Sequence, residues 1–255
     1  MQPEHPIQYL ETEHGSRLAW TGAEIPGKPT LVFLPGHGSD MDGTKALATA
    51  EWAEANGFGM IRFDYAGHGR SDGAFLDGTI GLWKQDCLAV IDQLTTGAVI
   101  LIGSSLGGWL MMLVAHERPT RMAGLIGIAA APDFTEDLIW QTLTPEQQEA
   151  MKASGQIALP NPYAPEDVIY TYRLVEDGRE HQVLTRPIRL TCPVRLLHGG
   201  EDEEVPVETA EKLAAVITSP DLEVIIDAEA GHRFSEPDQI DLLMSCLDAI
   251  TRKIG

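Results

Sequence analysis

A serine with a glycine two positions away on either side stands between two apolar segments, in Gly103–Gly107 (GSSLG). The run before it, 98–102, is rich in β-branched residues and predicts a strand, and the segment after it, 106–117, predicts a buried helix. In so tight a turn, side chains at the flanking positions would collide with the strand and the helix, which explains the glycines. The arrangement exposes the hydroxyl of Ser105 at the carboxyl end of the strand, beside a helix N-terminus that favours negative charge. Ser105 is therefore the predicted nucleophile.

A serine hydroxyl is a weak nucleophile until a base takes its proton and a third group orients that base. The candidate for the orienting acid is Asp202, within 198–206 (HGGEDEEVP). A predicted strand ends there in a glycine turn, the acid follows just beyond the strand, and a Val-Pro pair opens the next helix. A dense acidic run is otherwise typical of a solvated loop, and Glu201, Glu203 and Glu204 are weaker candidates for the same role.

The candidate for the base is His232, which lies in the loop after the predicted strand 222–226, between a glycine and the start of a helix. Serine, acid and histidine then follow one another along the chain in a recognised order for such triads. His198 precedes the acid and is interpreted as a packing or supporting residue. The remaining histidines that we considered occupy a terminus, a turn, a helix and an insertion, without comparable placement: His5, His14, His116 and His181.

The oxyanion of a tetrahedral intermediate needs about two backbone N–H donors, each worth about 3–4 kcal/mol of barrier. We expect one donor from Leu106, the residue after the nucleophile, and the other from His37 in the loop after the strand 30–34. Gly36 allows close approach there. The alternative is that the His37 side chain acts as a ligand or a base.

The elements that must position these residues alternate along the chain. Short apolar runs predict strands at 30–34, 59–64, 98–102, 123–130, 194–197 and 222–226. Helical patterns predict helices at 45–56, 82–94, 106–117, 207–217 and 237–253. A hairpin formed by 7–11 and 17–21 precedes them. The alternation predicts an α/β fold with a mostly parallel, doubly wound sheet covered on both faces.

The alternation stops at residue 132 and resumes near 191, so we expect 1–131 and 191–255 to form the core and 132–190 a lid insertion over the carboxyl edge of the sheet. Within the insertion the sequence predicts a helix at 145–152 and a hairpin that turns at Asp177-Gly178. Candidate apolar surfaces for an acyl chain are Ile139, Trp140, Ile157, Tyr163 and Tyr170. Packing within the insertion is the alternative role for these side chains.

The composition limits the classes of partner. The 255 residues carry a formal net charge of −20, which argues against nucleic acid and against an anionic membrane surface. No apolar run approaches the roughly 20 residues of a membrane span. Three scattered cysteines without CxxC spacing indicate a reducing compartment. The first residues do not form a secretory or transit signal, so the expected location is cytoplasmic; the oligomeric state is left open.

Neither a metal nor a cofactor is expected. No His, Asp or Glu pair has the spacing of metal ligands. The glycine-rich segment 64–71 (DYAGHGRS) lacks the Lys-Ser/Thr of a phosphate loop and does not open a helix directly, so we interpret it as a structured turn.

With these residues assembled, the chain resembles an α/β-hydrolase over nearly its full length. The turn at 64–71 matches the family pattern D-x-x-G-H-G-x-S, and 198–206 matches its acid loop, H-G-x-x-D-x-x-V-P. A narrower resemblance is to the branch of mitochondrial palmitoyl-protein thioesterases and acyl-glucuronide deacylases. The segments that carry it are 33–36 (FLPG), 42–48 (DGTKALA), 61–65 (IRFDY), 103–111 (GSSLGGWLM) and 193–199 (PVRLLHG).

The resemblance implies acyl transfer to water, with Ser105 as nucleophile, His232 as base and Asp202 as orienting acid. The expected substrates are small-molecule carboxylic esters or thioesters, including acyl glucuronides. The alternatives are hydrolysis of amides or C–C bonds by the same triad, and a non-catalytic hydrolase-like binding protein. Two differences limit how far the properties of this branch are expected to apply to this chain: the expected transit peptide is missing, and the insertion carries the least matching sequence.

Overall fold

The computed structural model describes residues 5–161 and 165–254. Its strands are β1 (Gln8–Glu11), β2 (Arg17–Ala23), β3 (Thr30–Leu34), β4 (Met60–Phe63), β5 (Val99–Ser104), β6 (Met122–Ile128), β7 (Gln156–Leu159), β8 (Val168–Thr171), β9 (Ile188–Arg189), β10 (Val194–Gly199), β11 (Ile217–Thr218) and β12 (Leu222–Asp227). Its α-helices are α1 (Thr44–Ala55), α2 (Ile80–Leu94), α3 (Leu106–Glu117), α4 (Pro145–Ser154), α5 (Tyr172–Glu180), α6 (Val207–Val216) and α7 (Pro237–Ile254). The strands and helices predicted for the core lie within a few residues of these bounds.

The central sheet has the strand order β1-β2-β4-β3-β5-β6-β10-β12. The β1–β2 and β2–β4 pairs are antiparallel and every later pair in the order is parallel. The predicted α/β class with a mostly parallel sheet is thus confirmed. Because the strands are parallel, their carboxyl ends meet at one edge, which is where the loops that carry the candidate residues emerge.

Side chains of the central strands alternate between two hydrophobic clusters, one on each face of the sheet. In β3, Val32 and Leu34 belong to the cluster that contains α2 and α3, whereas Leu31 and Phe33 belong to the cluster that contains α7. This period of two follows from the pleat, which sends successive side chains to opposite faces. Helix α3 is buried along nearly its whole length, so the segment after the candidate nucleophile is firmly held.

The segment between β6 and β10 contains a short π-helix (Thr135–Ile139), a 3₁₀ turn (Trp140–Thr142), helix α4, the antiparallel pair β7–β8 and helix α5. Helix α4 begins with a capping box, in which Thr144 and Gln147 satisfy each other's backbone N–H groups. The short strand β9, near the end of the segment, pairs with β11.

The hairpin predicted to turn at Asp177-Gly178 is wrong, because both residues lie inside α5. Thr171 caps this helix by accepting a hydrogen bond from the N–H of Leu174. A Cβ at Gly178 would lie 2.2 Å from Oγ1 of Thr135, so the glycine permits close packing rather than a turn. The hairpin of this segment lies instead between β7 and β8.

Candidate active site

Ser105 occupies a strained turn between β5 and α3. Its backbone has φ 52° and ψ −116°, in the left-handed half of backbone space that a residue with a side chain rarely adopts. Its N–H donates to the carbonyl of Ile128 at 2.9 Å, and its carbonyl accepts from the N–H groups of Gly108 (2.9 Å) and Ala131 (3.1 Å). The strained conformation is thus held by hydrogen bonds with β6, with α3 and with the segment that follows β6.

The glycines around Ser105 are required by contact with the backbone. A Cβ at Gly107 would lie 1.9 Å from the carbonyl oxygen of Leu34, and one at Gly103 would lie 2.3 Å from the carbonyl oxygen of Gly107. Neither oxygen can retreat without moving β3 or α3. The steric argument made from the sequence therefore describes this turn correctly.

The structure brings Ser105, His232 and Asp202 together from three separate loops. Nε2 of His232 lies 3.1 Å from Oγ of Ser105, and Nδ1 of the same ring lies 2.8 Å from Oδ2 of Asp202. The histidine follows β12 and the acid follows β10, so parallel neighbours deliver both side chains to the same edge of the sheet. The arrangement has the hydrogen-bond pattern of a nucleophile, a base and an orienting acid.

Asp202 is fixed on its far side by the backbone of its own loop. Oδ1 accepts hydrogen bonds from the N–H groups of Glu204 (3.0 Å) and Val205 (2.9 Å). Burial by itself raises the pKa of this carboxyl, but the hydrogen bonds from His232 and from the two N–H groups outweigh it, so the pKa lies below its ordinary value. Asp202 is consequently a carboxylate at neutral pH.

His198 supports this loop, as its position next to the acid suggested. Its Nε2 donates to the carbonyl of Val205 at 2.8 Å and lies 3.4 Å from Oδ2 of Asp202. Of the weaker acidic candidates, Glu203 is exposed, and Glu204 turns a backbone N–H towards Asp202.

The expected oxyanion donors flank Ser105. Leu106 is the first residue of α3, and Gly36 in the loop after β3 comes so close that a Cβ there would lie 3.5 Å from Cβ of Ser105. Among the hydrogen bonds of the described residues, none takes up the backbone N–H of His37 or that of Leu106. Both donors are thus left available, which is what an oxyanion site requires.

The side chain of His37 packs among aromatic rings. It stacks on Tyr170 with ring centroids 5.5 Å apart at 17°, and Phe75 and Trp83 lie at 4.8 and 5.7 Å. Burial and the nearby ring of His68 lower the pKa of His37 to about 3. A neutral ring enclosed in this way favours a backbone role for His37 over the alternative of a side-chain base.

Two residues of the turn at 64–71 hold the His37 loop, and sequence reasoning did not find them. Oη of Tyr65 donates to the carbonyl of Pro35 at 3.0 Å, and Nε2 of His68 accepts the N–H of Gly38 at 3.1 Å. For this role Nε2 of His68 must be unprotonated, and burial lowers the pKa of the ring accordingly. The match of 64–71 to the family pattern predicted a structured turn but did not predict these contacts.

A cleft of about 1180 Å³ opens over Ser105 and His232. Two of the predicted acyl-chain residues, Ile139 and Tyr170, line it. Trp140 and Ile157 pack instead with Met151 in a small core of the inserted segment, so the alternative role holds for them. Tyr163 lies outside the described residues.

Further apolar side chains of the cleft were not predicted from the sequence. Those of the inserted segment include Phe134, Leu138, Leu159 and Ile169, and Phe75 and Leu76 line the cleft from the core. No single spacing identifies those of the inserted segment, because they belong to a loop, a π-helix and two strands. Lys45 and Arg233 also line the cleft.

Within residues 5–161 and 165–254, no group of three or more His, Cys, Asp or Glu residues is arranged to hold a metal ion. In the same described part of the chain, no helix combines the length and apolar character needed to cross a bilayer.

The chain is similar to known proteins over most of its length. The family model described as serine aminopeptidase, S33 matches residues 26–176. The mouse (Mus musculus) protein named palmitoyl-protein thioesterase ABHD10, mitochondrial, is 41% identical over 98% of this chain and 84% of its own length. The solved structure of mouse alpha/beta hydrolase domain-containing protein 10 superposes with a TM-score of 0.90 at 37% identity, covering 98% of this chain and 100% of that one. A putative hydrolase from Agrobacterium vitis S4 gives a TM-score of 0.91 at 36% identity, covering 96% and 99%.

The comparison also corrects one expectation. The cytoplasmic location is wrong by this evidence, since the mouse, rat, bovine and human relatives at 39–41% identity are all named as mitochondrial proteins.

Proposed function

The chain belongs to the α/β-hydrolase family represented by the S33 serine aminopeptidase model and by the ABHD10 thioesterases, and on that premise we propose that Ser105, His232 and Asp202 carry out its reaction. Membership makes it an enzyme of the serine esterase and thioesterase type. The observation that supports these residue roles is the continuous chain of contacts from Ser105 Oγ through the His232 ring to the Asp202 carboxylate.

In the proposed reaction, Oγ of Ser105 attacks the acyl carbonyl while Nε2 of His232 takes the hydroxyl proton. The tetrahedral oxyanion receives hydrogen bonds from the N–H groups of Leu106 and His37. On collapse, the bond from the acyl carbon to the leaving oxygen or sulfur breaks, and His232 returns its proton to that atom. Water, deprotonated by the same ring, then hydrolyses the acyl-enzyme and regenerates Ser105.

The proposed substrate is a carboxylic ester or thioester with an extended acyl chain. The volume of about 1180 Å³ exceeds the roughly 300–1,000 Å³ that is usual for ligand pockets, so a chain and a leaving group fit together. The apolar lining comes largely from the segment 132–190, to which we assign the role of a lid that sets chain length. The relatives named palmitoyl-protein thioesterases support long S-acyl chains as the first substrates to try.

Labelling with a fluorophosphonate tests the nucleophile directly. The wild-type protein and Ser245→Ala, an exposed serine on α7, should both be labelled, whereas Ser105→Ala should not. An unlabelled wild-type protein would instead favour the non-catalytic binding protein considered above.

A substrate series tests the reaction class. Hydrolysis is measured on p-nitrophenyl esters and on acyl-CoA thioesters of increasing chain length, with matched p-nitroanilides as amide substrates. We expect kcat/KM on the esters and thioesters to rise with chain length and to vanish in Ser105→Ala. Faster cleavage of the anilides would show that the enzyme is an amidase and contradict the proposed substrate class.

A further inference from the structure

One part of the catalytic cleft carries a positive charge close to the catalytic histidine. Lys45 lies in the first turn of α1 and lines the cleft together with Ser105 and His232. Its Nζ donates a hydrogen bond to the carbonyl oxygen of Arg233, the residue that follows His232. Arg233 also lines the cleft, and its charge lies close enough to repel that of Lys45.

The ammonium group of Lys45 has no carboxylate within ion-pair distance among the described residues, although the chain carries a net charge of −20. The neighbouring cations differ, since Arg62 and Arg70 both pair with Asp42. An ammonium has three donors, and the contact with Arg233 uses one of them. Burial and the Arg233 charge lower the pKa of Lys45 to about 8, so it is still protonated at neutral pH.

A partly buried cation without an anion is unfavourable, and a bound anionic group would compensate it. Among the described residues, no ion pair joins Lys45 to the carboxylates of Asp40, Glu166 or Asp167, which line the same cleft. The cleft thus offers an anionic group of a ligand a position beside Lys45 that no carboxylate of the described residues takes.

The chemistry decides which part of the ligand meets Lys45. His232 has to return its proton to the leaving oxygen or sulfur, so the leaving group lies against the loop that carries His232. Lys45 is bonded to that same loop at Arg233. The apolar side chains that suit an acyl chain, such as Phe134 and Leu138, come from the inserted segment.

We propose that Lys45 binds an anionic carboxylate or phosphate on the leaving-group part of the substrate. The inference rests on the proposed function and narrows it to acyl esters and thioesters with an anionic alcohol or thiol component.

The test compares two esters that differ in one charge. These are the octanoyl esters of 3-hydroxybenzoate and of methyl 3-hydroxybenzoate, which share the acyl chain and the phenolic leaving atom. In Lys45→Met we expect kcat/KM for the carboxylate ester to fall by about tenfold or more, and that for the methyl ester to stay within about twofold. Lys28→Met, an exposed lysine whose Nζ likewise donates to a backbone carbonyl, is the matched control and should leave both values unchanged.

Added salt gives an independent readout. It should lower the preference of the wild type for the carboxylate ester and have little effect on the preference of Lys45→Met. The octanoyl ester of 3-hydroxyphenyl phosphate distinguishes the two anions: a larger Lys45 effect on this ester assigns the site to phosphate, and a smaller one to carboxylate.

Equal losses on the charged and the methyl esters in Lys45→Met would overturn the proposal, because they would show that the lysine only anchors the His232 loop. Unchanged rates on all the esters would overturn it as well. If the wild type hydrolyses none of the esters, the proposed function fails, and calorimetry still decides the role of Lys45. In that measurement the carboxylate ester should bind Ser105→Ala about tenfold more tightly than Ser105→Ala combined with Lys45→Met, and equal affinities would refute the anion site.

Discussion

Replacement of Asp202 by asparagine removes a charge while leaving the shape of the site almost unchanged. Oδ1 of Asp202 accepts N–H groups from Glu204 and Val205 at 3.0 and 2.9 Å. These two donors hold the carbonyl oxygen of an asparagine in the same place. Its NH₂ group must then occupy the position of Oδ2, 2.8 Å from Nδ1 of His232. An NH₂ group at that position needs an acceptor, so Nδ1 must give up its proton.

The ring of His232 then carries its proton on Nε2, which faces Oγ of Ser105 at 3.1 Å. A protonated Nε2 cannot accept the serine proton, and general-base catalysis stops. Where a triad aspartate is changed to asparagine with its geometry intact, kcat falls about 10⁴-fold, which corresponds to about 5.4 kcal/mol at about 1.36 kcal/mol per decade. We expect a loss of this size for Asp202→Asn, with KM little changed.

Initial rates on p-nitrophenyl octanoate measure the effect, and circular dichroism checks that the variant is folded. Glu203→Gln is the matched control, because Glu203 is exposed and lies one residue away in the same acidic run. Full activity in Asp202→Asn together with a loss in Glu203→Gln would refute both the assignment of the acid and the tautomer argument.

Two further predictions concern the loop that carries His37, the proposed second oxyanion donor. In His68→Phe the acceptor for the N–H of Gly38 is lost, so kcat should fall about tenfold with little change in KM. His68→Gln should recover part of the loss. A kcat equal to that of the wild type in the phenylalanine variant, measured by steady-state kinetics, would exclude this positioning role. The pKa of His37 is lowered to about 3 in the folded chain, whereas in the unfolded chain it is about 6.5. Between these pH values the unfolded chain binds a proton at His37 and the folded chain does not. The free energy of unfolding should therefore decrease as the pH falls from about 6.5 towards 3. Urea unfolding of His37→Phe over that range should show a shallower decrease than the wild type, and identical slopes would contradict the pKa shift.

The parts of the fold that were predictable are those whose signal is local. The β-branched run 98–102 and the apolar segment 106–117 predict a strand and a helix from their own residues, and the structure has β5 and α3 there. Ser105 was found from its glycines because their steric need arises within a few residues. Asp202 and His232 were predicted from their places after predicted strands and from the order of the three residues along the chain.

The remaining features depend on contacts between distant residues. A glycine after an aspartate is typical of a turn, and only the approach of Thr135 explains why a glycine stands at this position of α5. In the same way, Trp140 turns into the small core with Met151 rather than into the cleft because α4 offers that surface. The contact of His68 with the loop after β3 spans 30 residues, which no pattern along the chain reveals.

Backbone strain among the described residues is concentrated at the carboxyl edge of the sheet, where the proposed triad lies. Among the described residues, the non-glycine residues with positive φ are Ser105, Ala129, Asp133 and Phe234. Ser105 follows β5, Ala129 and Asp133 follow β6, and Phe234 lies in the loop of His232. Each such conformation costs about 1–3 kcal/mol and persists only where its surroundings enforce it. Those surroundings are visible: the N–H of Ala129 donates to Leu197 at 2.8 Å, and the carboxylate of Asp133 accepts two backbone N–H groups from the far end of the inserted segment. Strain at isolated surface turns would indicate only tight connections. Here the strained residues are the proposed nucleophile, a residue of the proposed base loop and two residues near the start of the insertion. We infer that the fold holds the carboxyl edge of the sheet in one geometry before any substrate binds.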